Sequence, residues 1–283
     1  MSGISSAFER ARADDRAALI PYLMAGYPDA TSAPEIALAL ERGGADLLEI
    51  GMPFSDPLAD GPTIQRAGIA SLANGTTVTS CIETAAQIRQ RSAIPLVLMG
   101  YFNPIQRYGS ERFFTDAASA GVEGLIVPDL PPEEAGEVRA IAHQHGVDLI
   151  FLLAPTSTEE RIRRAAAAAS GFVYCVSLTG VTGARASVAE GLEAFLGRVR
   201  RHTPLPLAVG FGISRPEHVR QVAQVADGVV VASALIDLID NSAPEARLRA
   251  LEEYIRSLRD GARKGTPVPV GAVGGQRADD RSG

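Results

Sequence analysis

The stretch Val147-Asp-Leu-Ile-Phe-Leu-Leu-Ala154, closely followed by Ser157-Thr-Glu-Glu160, is the pattern that decides the fold. Its first part is an apolar run too short for most helices, which indicates a strand buried on both faces, as in parallel sheets. Its second part has the Ser-x-x-Glu spacing of a capping box, which predicts that a helix begins there. The stretch is therefore predicted to be one strand followed by one helix.

This strand–helix unit recurs along the chain, and two more capping boxes are predicted, at Ser32–Glu35 and Ser214–Glu217. Eight units in about 250 residues favour a (β/α)₈ (TIM) barrel over a doubly wound open sheet, which shares the same alternation. The eight apolar runs are Ala18–Ala25, Asp46–Gly51, Pro95–Tyr101, Gly124–Pro128, Val147–Ala154, Phe172–Ser177, Leu205–Gly210 and Gly228–Ala232.

The domain organisation follows from where this pattern stops. Residues 1–260 are predicted to form one barrel domain, with extra helix at 2–14 and before the third strand. Residues 261–283 contain glycine and proline without sustained apolar periodicity, so they are predicted to be a disordered tail.

Composition excludes several classes of function. A net charge of −6 gives no broad basic surface for nucleic acid. Cys81 and Cys175 fit no metal-ligand spacing. His143 and His145 are two residues apart, so on a helix the two histidines do not face one site. No metal site is therefore predicted. The sequence contains neither a signal peptide nor a run of roughly 20 apolar residues, so we expect a cytoplasmic protein that binds no membrane.

A cluster of acids follows the second predicted strand. Glu49 interrupts that apolar strand, and Asp56 and Asp60 lie on the long loop after it. Three carboxylates at one strand end make a plausible acid–base site, because barrel active sites lie at these ends. Two other readings stay open: Glu49 as a buried ion-pair partner, and Asp60-Gly-Pro62 as an ordinary turn.

Two further loops carry candidate functional groups. Val209-Gly-Phe-Gly-Ile-Ser214 ends the seventh strand, where barrels commonly bind phosphate through N–H groups at a helix start. The alternative for its glycines is a tight strand-to-helix turn. The loop Ser177–Arg185, with its two Thr-Gly pairs, is either a lid over the site or a plain surface loop.

Several stretches resemble the tryptophan synthase alpha-chain family, in order along the chain from about Phe8 to Ile239. The longest is Leu48-Glu-Ile-Gly-Met-Pro-Phe-Ser-Asp-Pro-Leu-Ala-Asp-Gly-Pro-Thr-Ile-Gln65, which is similar to the family signature almost letter for letter. The others are Gly100-Tyr-Phe-Asn-Pro-Ile105, Val127-Pro-Asp-Leu-Pro131, Gly180-Val-Thr-Gly183 and Val209-Gly-Phe-Gly-Ile-Ser214.

The resemblance implies a lyase of tryptophan biosynthesis that splits indole-3-glycerol phosphate into indole and glyceraldehyde 3-phosphate. It implies that Glu49 and Asp60 are the catalytic pair. Ala232 stands where the family usually has glycine; it keeps an N–H donor for the phosphate, but would weaken binding if the backbone there needed a positive φ. The phosphate contacts implied by the resemblance are Gly183, Phe211, Gly212 and Ser233.

Aromatic residues near strand ends are the candidates for holding the indole ring. Tyr174 is the strongest of them, because it matches a pocket tyrosine of the family. Thr182 is expected to hydrogen-bond Asp60 above the bound ring, and so to join the substrate site. The aromatic candidates are Tyr22, Tyr101, Phe151, Tyr174 and Phe211.

The implied chemistry needs neither metal nor cofactor in this chain, because an indole ring protonated at C3 is itself an electron sink. The resemblance further implies a partner, the tryptophan synthase beta chain, which carries pyridoxal phosphate in a heterotetramer of two alpha and two beta chains. Two other functions stay open: another phosphate-binding barrel enzyme of aromatic amino-acid biosynthesis, and a non-catalytic regulatory subunit that binds a phosphorylated ligand. The loop from Glu49 to Asp60 argues against both.

Overall fold

The computed structural model describes residues 2–176, 185–210 and 212–264. Within these residues lie nine strands and twelve helices. The strands are β1 (Ala18–Met24), β2 (Leu48–Gly51), β3 (Leu96–Met99), β4 (Val122–Ile126), β5 (Asp148–Ile150), β6 (Leu152–Leu153), β7 (Val173–Val176), β8 (Leu207–Gly210) and β9 (Gly228–Val231). The helices are α1 (Gly3–Ala13), α2 (Ala33–Gly43), α3 (Pro62–Ala73), α4 (Val78–Arg89), α5 (Phe102–Tyr108), α6 (Ser110–Ser119), α7 (Gly136–Gln144), α8 (Glu159–Ala168), α9 (Arg185–Arg200), α10 (Pro216–Ala223), α11 (Ser233–Asn241) and α12 (Arg247–Gly261).

The strands form one parallel sheet in the order β5-β4-β3-β2-β1-β9-β8-β7-β6. Each predicted run matches one strand, except that Val147–Ala154 contains both β5 and β6; β4 begins two residues before the predicted run Gly124–Pro128. Between these two pieces, the carbonyl of Phe151 accepts a hydrogen bond from Tyr174 N–H at 3.0 Å, so the ladder runs on from β4 to β7. The two pieces occupy one place in the ring, and the predicted (β/α)₈ barrel is confirmed.

The interior of the barrel is plugged at its N-terminal end by α1, the extra helix predicted at 2–14. Ile4, Ala7, Phe8 and Ala11 of this helix are buried in one cluster with inward-facing strand residues. The ring of Phe8 lies 5.5 Å from that of Phe172. The barrel is therefore closed at this end, and only its C-terminal face is free for a site.

The other helices cover the outside of the sheet. Alternate strand residues, such as Leu23, Leu98 and Leu149, pack outward against apolar helix faces in a second, larger cluster. The extra helix expected before the third strand is confirmed, since both α3 and α4 lie between β2 and β3. None of the helices in the described ranges is long and apolar enough to cross a membrane.

The helix starts differ from the predicted capping boxes. Ser32 has helical backbone angles and makes no side-chain cap bond; the Asp29 carboxylate accepts from the N–H groups of Thr31 and Ser32 instead, at 3.0 Å each. The cap of α8 is Thr158, one residue after the predicted Ser157. For α10 it is Arg215, because Pro216 takes the first helical position that proline favours.

The two ends of the barrel domain meet at its closed face. Arg16 and Asp46 form a buried ion pair there, with a distance of 2.8 Å between Arg16 Nη2 and Asp46 Oδ1. Ala262, which lies past the expected boundary at residue 260, is buried, and its carbonyl accepts a hydrogen bond from Ala17 N–H at 3.0 Å. Two residues later, Lys264 N–H donates a hydrogen bond to the carbonyl of Asp15 at 2.8 Å. The packed chain thus reaches Lys264, and the predicted disorder of residues 265–283 concerns residues outside the described part.

Candidate active site

A cavity of about 380 Å³ opens where the strands end at the C-terminal face of the barrel. Residues of β2, β7 and β8 line it, together with the first residues of α3 and α11. Its size lies within the roughly 300–1,000 Å³ range of small-molecule sites, and its position is the one that active sites take in this fold. It is therefore the candidate active site.

Glu49 is the buried acid of this cavity. It pairs in register with Tyr22 of β1 and Val97 of β3, and its side chain is only 2% exposed. Its Oε2 atom has no hydrogen-bond partner among the described residues. Burial, and secondarily the nearby charge of Asp60, raises the pKa of Glu49 to about 8. The expectation of an ion-pair partner is not met, and Glu49 is available to donate a proton near neutral pH.

Asp60 faces the same cavity from the loop after β2. Burial raises the pKa of this carboxyl to about 6, and the hydroxyl of Tyr101 beside it partly opposes the shift. Of the three acids in this region, only two come together. Asp56 is exposed, accepts a hydrogen bond from Ser55 Oγ at 2.7 Å and does not line the cavity.

Tyr101 holds the loop that carries Asp60. Its hydroxyl accepts a hydrogen bond from Ala59 N–H at 2.9 Å, and its ring stacks on Phe54 with 5.1 Å between centroids. Gln65 donates to the Asp60 carbonyl at 2.9 Å from the first turns of α3. Tyr101 is not among the described residues that line the cavity, and it contacts the loop that carries Asp60. Its expected contact with the substrate stays a prediction.

Two of the aromatic candidates, Tyr22 and Tyr174, line the cavity, and each packs on a glycine of the neighbouring strand. A methyl group at Gly51 would lie 1.9 Å from the Tyr22 hydroxyl oxygen, and one at Gly210 would lie 2.2 Å from that of Tyr174. Only glycine leaves room for these rings. Burial, together with the negative charges of Glu49 and Asp60, raises the pKa of both tyrosines well above 10.

The far side of the cavity is built to receive an anion. Ala232, Ser233 and Ala234 line it at the start of α11, and Gly212 lines it from the loop between β8 and α10. The first N–H groups of a helix have no acceptor within the helix, and the helix dipole favours negative charge there. Ala232 has φ −122°, so the backbone does not require glycine at this position and the methyl group is accommodated.

The remaining wall is apolar, and the sequence analysis missed most of it. Phe151, expected to hold the ring, packs outward among the helices, while its neighbour Leu152 lines the cavity. The two-residue alternation of strands was the signal that could have located Leu152. The other missed apolar side chains are Ile64, Met99, Val176, Ile213 and Val230.

Three predicted site residues, Thr182, Gly183 and Phe211, lie outside the described residues. The sequence analysis also missed Asp237, an acid one helical turn after Ser233 that lines the cavity. Within residues 2–176, 185–210 and 212–264 no three or more His, Cys, Asp or Glu side chains converge as metal ligands would.

The family model described as "Tryptophan synthase alpha chain" matches residues 8–263. The tryptophan synthase alpha chain of Roseiflexus sp. (strain RS-1) is 57% identical over 260 residues, covering 92% of this chain and 100% of the relative. That of Geobacter sp. (strain M21) is 50% identical over 266 residues, covering 94% and 100%.

Solved structures agree with the sequence relatives. A chain of tryptophan synthase from M. tuberculosis, in an aminoacrylate-bound form, superposes with a TM-score of 0.84 at 38% identity, covering 93% of this chain and 100% of that one. The alpha subunit from Legionella pneumophila str. Paris gives a TM-score of 0.84 at 37% identity, covering 93% and 98%. With the family model spanning nearly the whole barrel, this chain belongs to the tryptophan synthase alpha chain family.

Proposed function

We propose that this chain carries out the family's reaction, the cleavage of indole-3-glycerol phosphate to indole and glyceraldehyde 3-phosphate, with Glu49 and Asp60 as its catalytic pair. The observation that carries this assignment is the buried carboxyl of Glu49, whose Oε2 atom has no hydrogen-bond partner among the described residues, in a cavity that also presents a helix N-terminus. The first group suits proton transfer to carbon, and the second suits the phosphate of the substrate.

The reaction needs a sink for the electrons of the breaking carbon–carbon bond. Glu49 donates its proton to C3 of the indole ring, which becomes an indolenine. As a carboxylate it then takes the proton of the hydroxyl on the adjacent chain carbon. That carbon becomes the aldehyde of the released triose phosphate, and the bond electrons return to the ring, restoring indole.

The two acids are suited to different roles because their pKa values differ. With a pKa of about 8, Glu49 is protonated at pH 7 and acts as the acid. With a pKa of about 6, Asp60 is mostly ionised at that pH. We assign Asp60 to accept a hydrogen bond from the indole N–H and to stabilise the positive charge that develops on the ring.

The substrate lies across the cavity in this proposal. The indole ring contacts Tyr22, Tyr174 and the apolar wall. The phosphate oxygens accept hydrogen bonds from the backbone N–H groups of Gly212, Ala232 and Ser233. Contacts from Gly183 and Phe211 to the phosphate, and from Thr182 to Asp60, remain part of the proposal on the strength of the sequence resemblance alone.

The assembly is proposed by analogy with the family name. A tryptophan synthase alpha chain works with a beta chain, and we propose that this chain joins a heterotetramer of two alpha and two beta chains. The chain itself would use no cofactor, and pyridoxal phosphate would be held by the beta chain. The cytoplasmic location expected from the sequence stays a prediction.

The test is to incubate the purified full-length chain with indole-3-glycerol phosphate and to follow indole and glyceraldehyde 3-phosphate together. Both products should appear in equal amounts, and Glu49→Gln should abolish them while leaving the circular dichroism spectrum unchanged. A beta chain from a related organism should be added in a parallel reaction. No indole in either reaction would overturn the proposed function, and normal turnover by Glu49→Gln would overturn the role of Glu49.

A further inference from the structure

Arg66 joins two elements that carry opposite ends of the candidate active site. It lies on α3, which follows directly after Asp60, and it contacts two carboxylates of α11, whose first residues face the anion side of the cavity. Its Nη2 atom is 3.0 Å from Asp237 Oδ1 and 2.6 Å from Asp240 Oδ2. Asp240 also accepts a hydrogen bond from the hydroxyl of Tyr27.

Asp237 is poorly placed for a site that binds a phosphate. It lines the cavity four residues after Ser233, so about 6 Å separates their Cβ atoms along one face of α11. The described residues that line the cavity include three carboxylates, those of Glu49, Asp60 and Asp237, and no lysine, arginine or histidine. The attraction of the α11 N-terminus for an anion is thus opposed by a carboxylate one turn away.

We infer that Arg66 sets the affinity of the site for the substrate phosphate by offsetting part of the negative charge of Asp237 and Asp240, which would otherwise repel it. The inference rests on the proposed function, because it assigns the phosphate to the start of α11. Arg66 does not line the cavity, so it acts through these two acids and not by touching the substrate. It is a positioning residue that controls charge at the mouth of the site.

The expected effect is moderate because the pair is partly exposed to solvent. Arg66 and Asp237 each keep 52% of their side-chain surface exposed. Without Arg66, a dianion near Asp237, and near Asp240 with its remaining charged neighbour Arg247, should bind about 3-fold to 10-fold more weakly. The loss should shrink as salt shortens the Debye length from roughly 30 Å toward 3 Å.

The experiment measures glycerol 3-phosphate binding to the full-length chain by isothermal titration calorimetry, at about 0.01 M and about 0.5 M ionic strength. The variants are Arg66→Met, Asp237→Asn and the triple variant Arg66→Met/Asp237→Asn/Asp240→Asn. Arg91→Met is the matched control, because Arg91 and Glu35 form a contact of nearly equal exposure, 53% and 49%, away from the cavity. KM and kcat for indole-3-glycerol phosphate are measured on the same proteins.

Arg66→Met should weaken glycerol 3-phosphate binding at low salt and raise KM with little change in kcat, while Arg91→Met changes neither. Asp237→Asn should bind slightly tighter than wild type, and the triple variant, whose three positions carry no charge, should bind at least as tightly as wild type. Unchanged binding by Arg66→Met, in a wild-type chain that binds and cleaves its substrates, would overturn this inference alone. Weak binding that the triple variant fails to restore would also overturn it, since Arg66 would then act by holding α3 to α11. A wild-type chain that neither binds glycerol 3-phosphate nor releases indole would overturn the proposed function itself.

Discussion

Glu49→Gln should make the protein more stable at neutral pH, as well as inactive. Glutamine has nearly the shape of a protonated glutamic acid, which is the form that Glu49 takes in the folded chain at pH 7. In the unfolded chain glutamate ionises near its ordinary pKa of 4.5, whereas the folded value is about 8. Folding at pH 7 therefore has to protonate this group, and glutamine removes that requirement.

The size of the effect follows from the two pKa values. Each pH unit above 4.5 favours the unfolded state by about 1.4 kcal/mol until the folded group also ionises near pH 8. At pH 7 the difference is 2.5 units, or roughly 3 kcal/mol in favour of Glu49→Gln. Because the folded pKa is raised, the wild-type chain keeps the full contribution of this group below pH 4.5 and loses it progressively as the pH rises toward 8.

Urea unfolding, followed by circular dichroism at pH values from 5 to 9, measures this difference. The gap in unfolding free energy between Glu49→Gln and wild type should grow from pH 5 to 8 and then level off. Glu9→Gln, at an exposed position on α1, is the control for removing a carboxylate. A gap that stays constant with pH, or a Glu49→Gln variant less stable than wild type at pH 7, would refute the reasoning.

Three shorter predictions concern other parts of the molecule. The value of kcat/KM should be highest between about pH 6 and 8, because one cavity acid must be protonated and the other ionised; rates that continue to rise at pH 9 would contradict this. Gly210→Ala should cost about 1–3 kcal/mol of unfolding free energy and raise KM, because the new methyl group displaces Tyr174; an unchanged KM would exclude Tyr174 from the substrate site. Deleting residues 265–283 should leave the melting temperature unchanged. Deleting residues 262–283 should lower it by several degrees, because Ala262 is buried and its carbonyl accepts a hydrogen bond from Ala17 N–H. Equal melting temperatures for the two deletions would show that this contact adds no stability.

The barrel could be predicted because its signals are repeated and local. Each strand is a short run of apolar residues, and each run is followed by a helix, so an error in one unit leaves the count intact. The division of the fifth run into two strands could not be predicted, because it depends on which neighbour each backbone group meets across the ring. Two helix caps were misplaced because neighbouring residues changed the helix starts. Asp29 accepts the N–H groups before α2, and Pro216 takes the first position of α10.

The chemistry of the site was predictable where one residue contradicts its surroundings. Glu49 stands out because a carboxylate is costly to bury in an apolar strand. Within the described part of the chain its Oε2 atom finds no hydrogen-bond partner, which favours a functional role over a structural one. Asp56 and Asp60 look alike in the sequence, and only the fold of the loop exposes the first and brings the second to the cavity. Spacing along the chain does not reveal which aromatic side chains line the cavity, as Tyr22 and Tyr174 do, and which contact a neighbouring loop, as Tyr101 does.

The pairing of β1 with β9 has a consequence for how the protein is made. Ala18 lies opposite Gly228, so the first strand to leave the ribosome must wait for the last one before the ring can close. At about 5–20 residues per second, the roughly 210 residues between them take some 10–40 s to synthesise. During that time the unpaired edge of β1 is open to other chains. An unpaired strand edge is a site where other chains can pair wrongly, so closure of the ring by β9 also removes this route to aggregation.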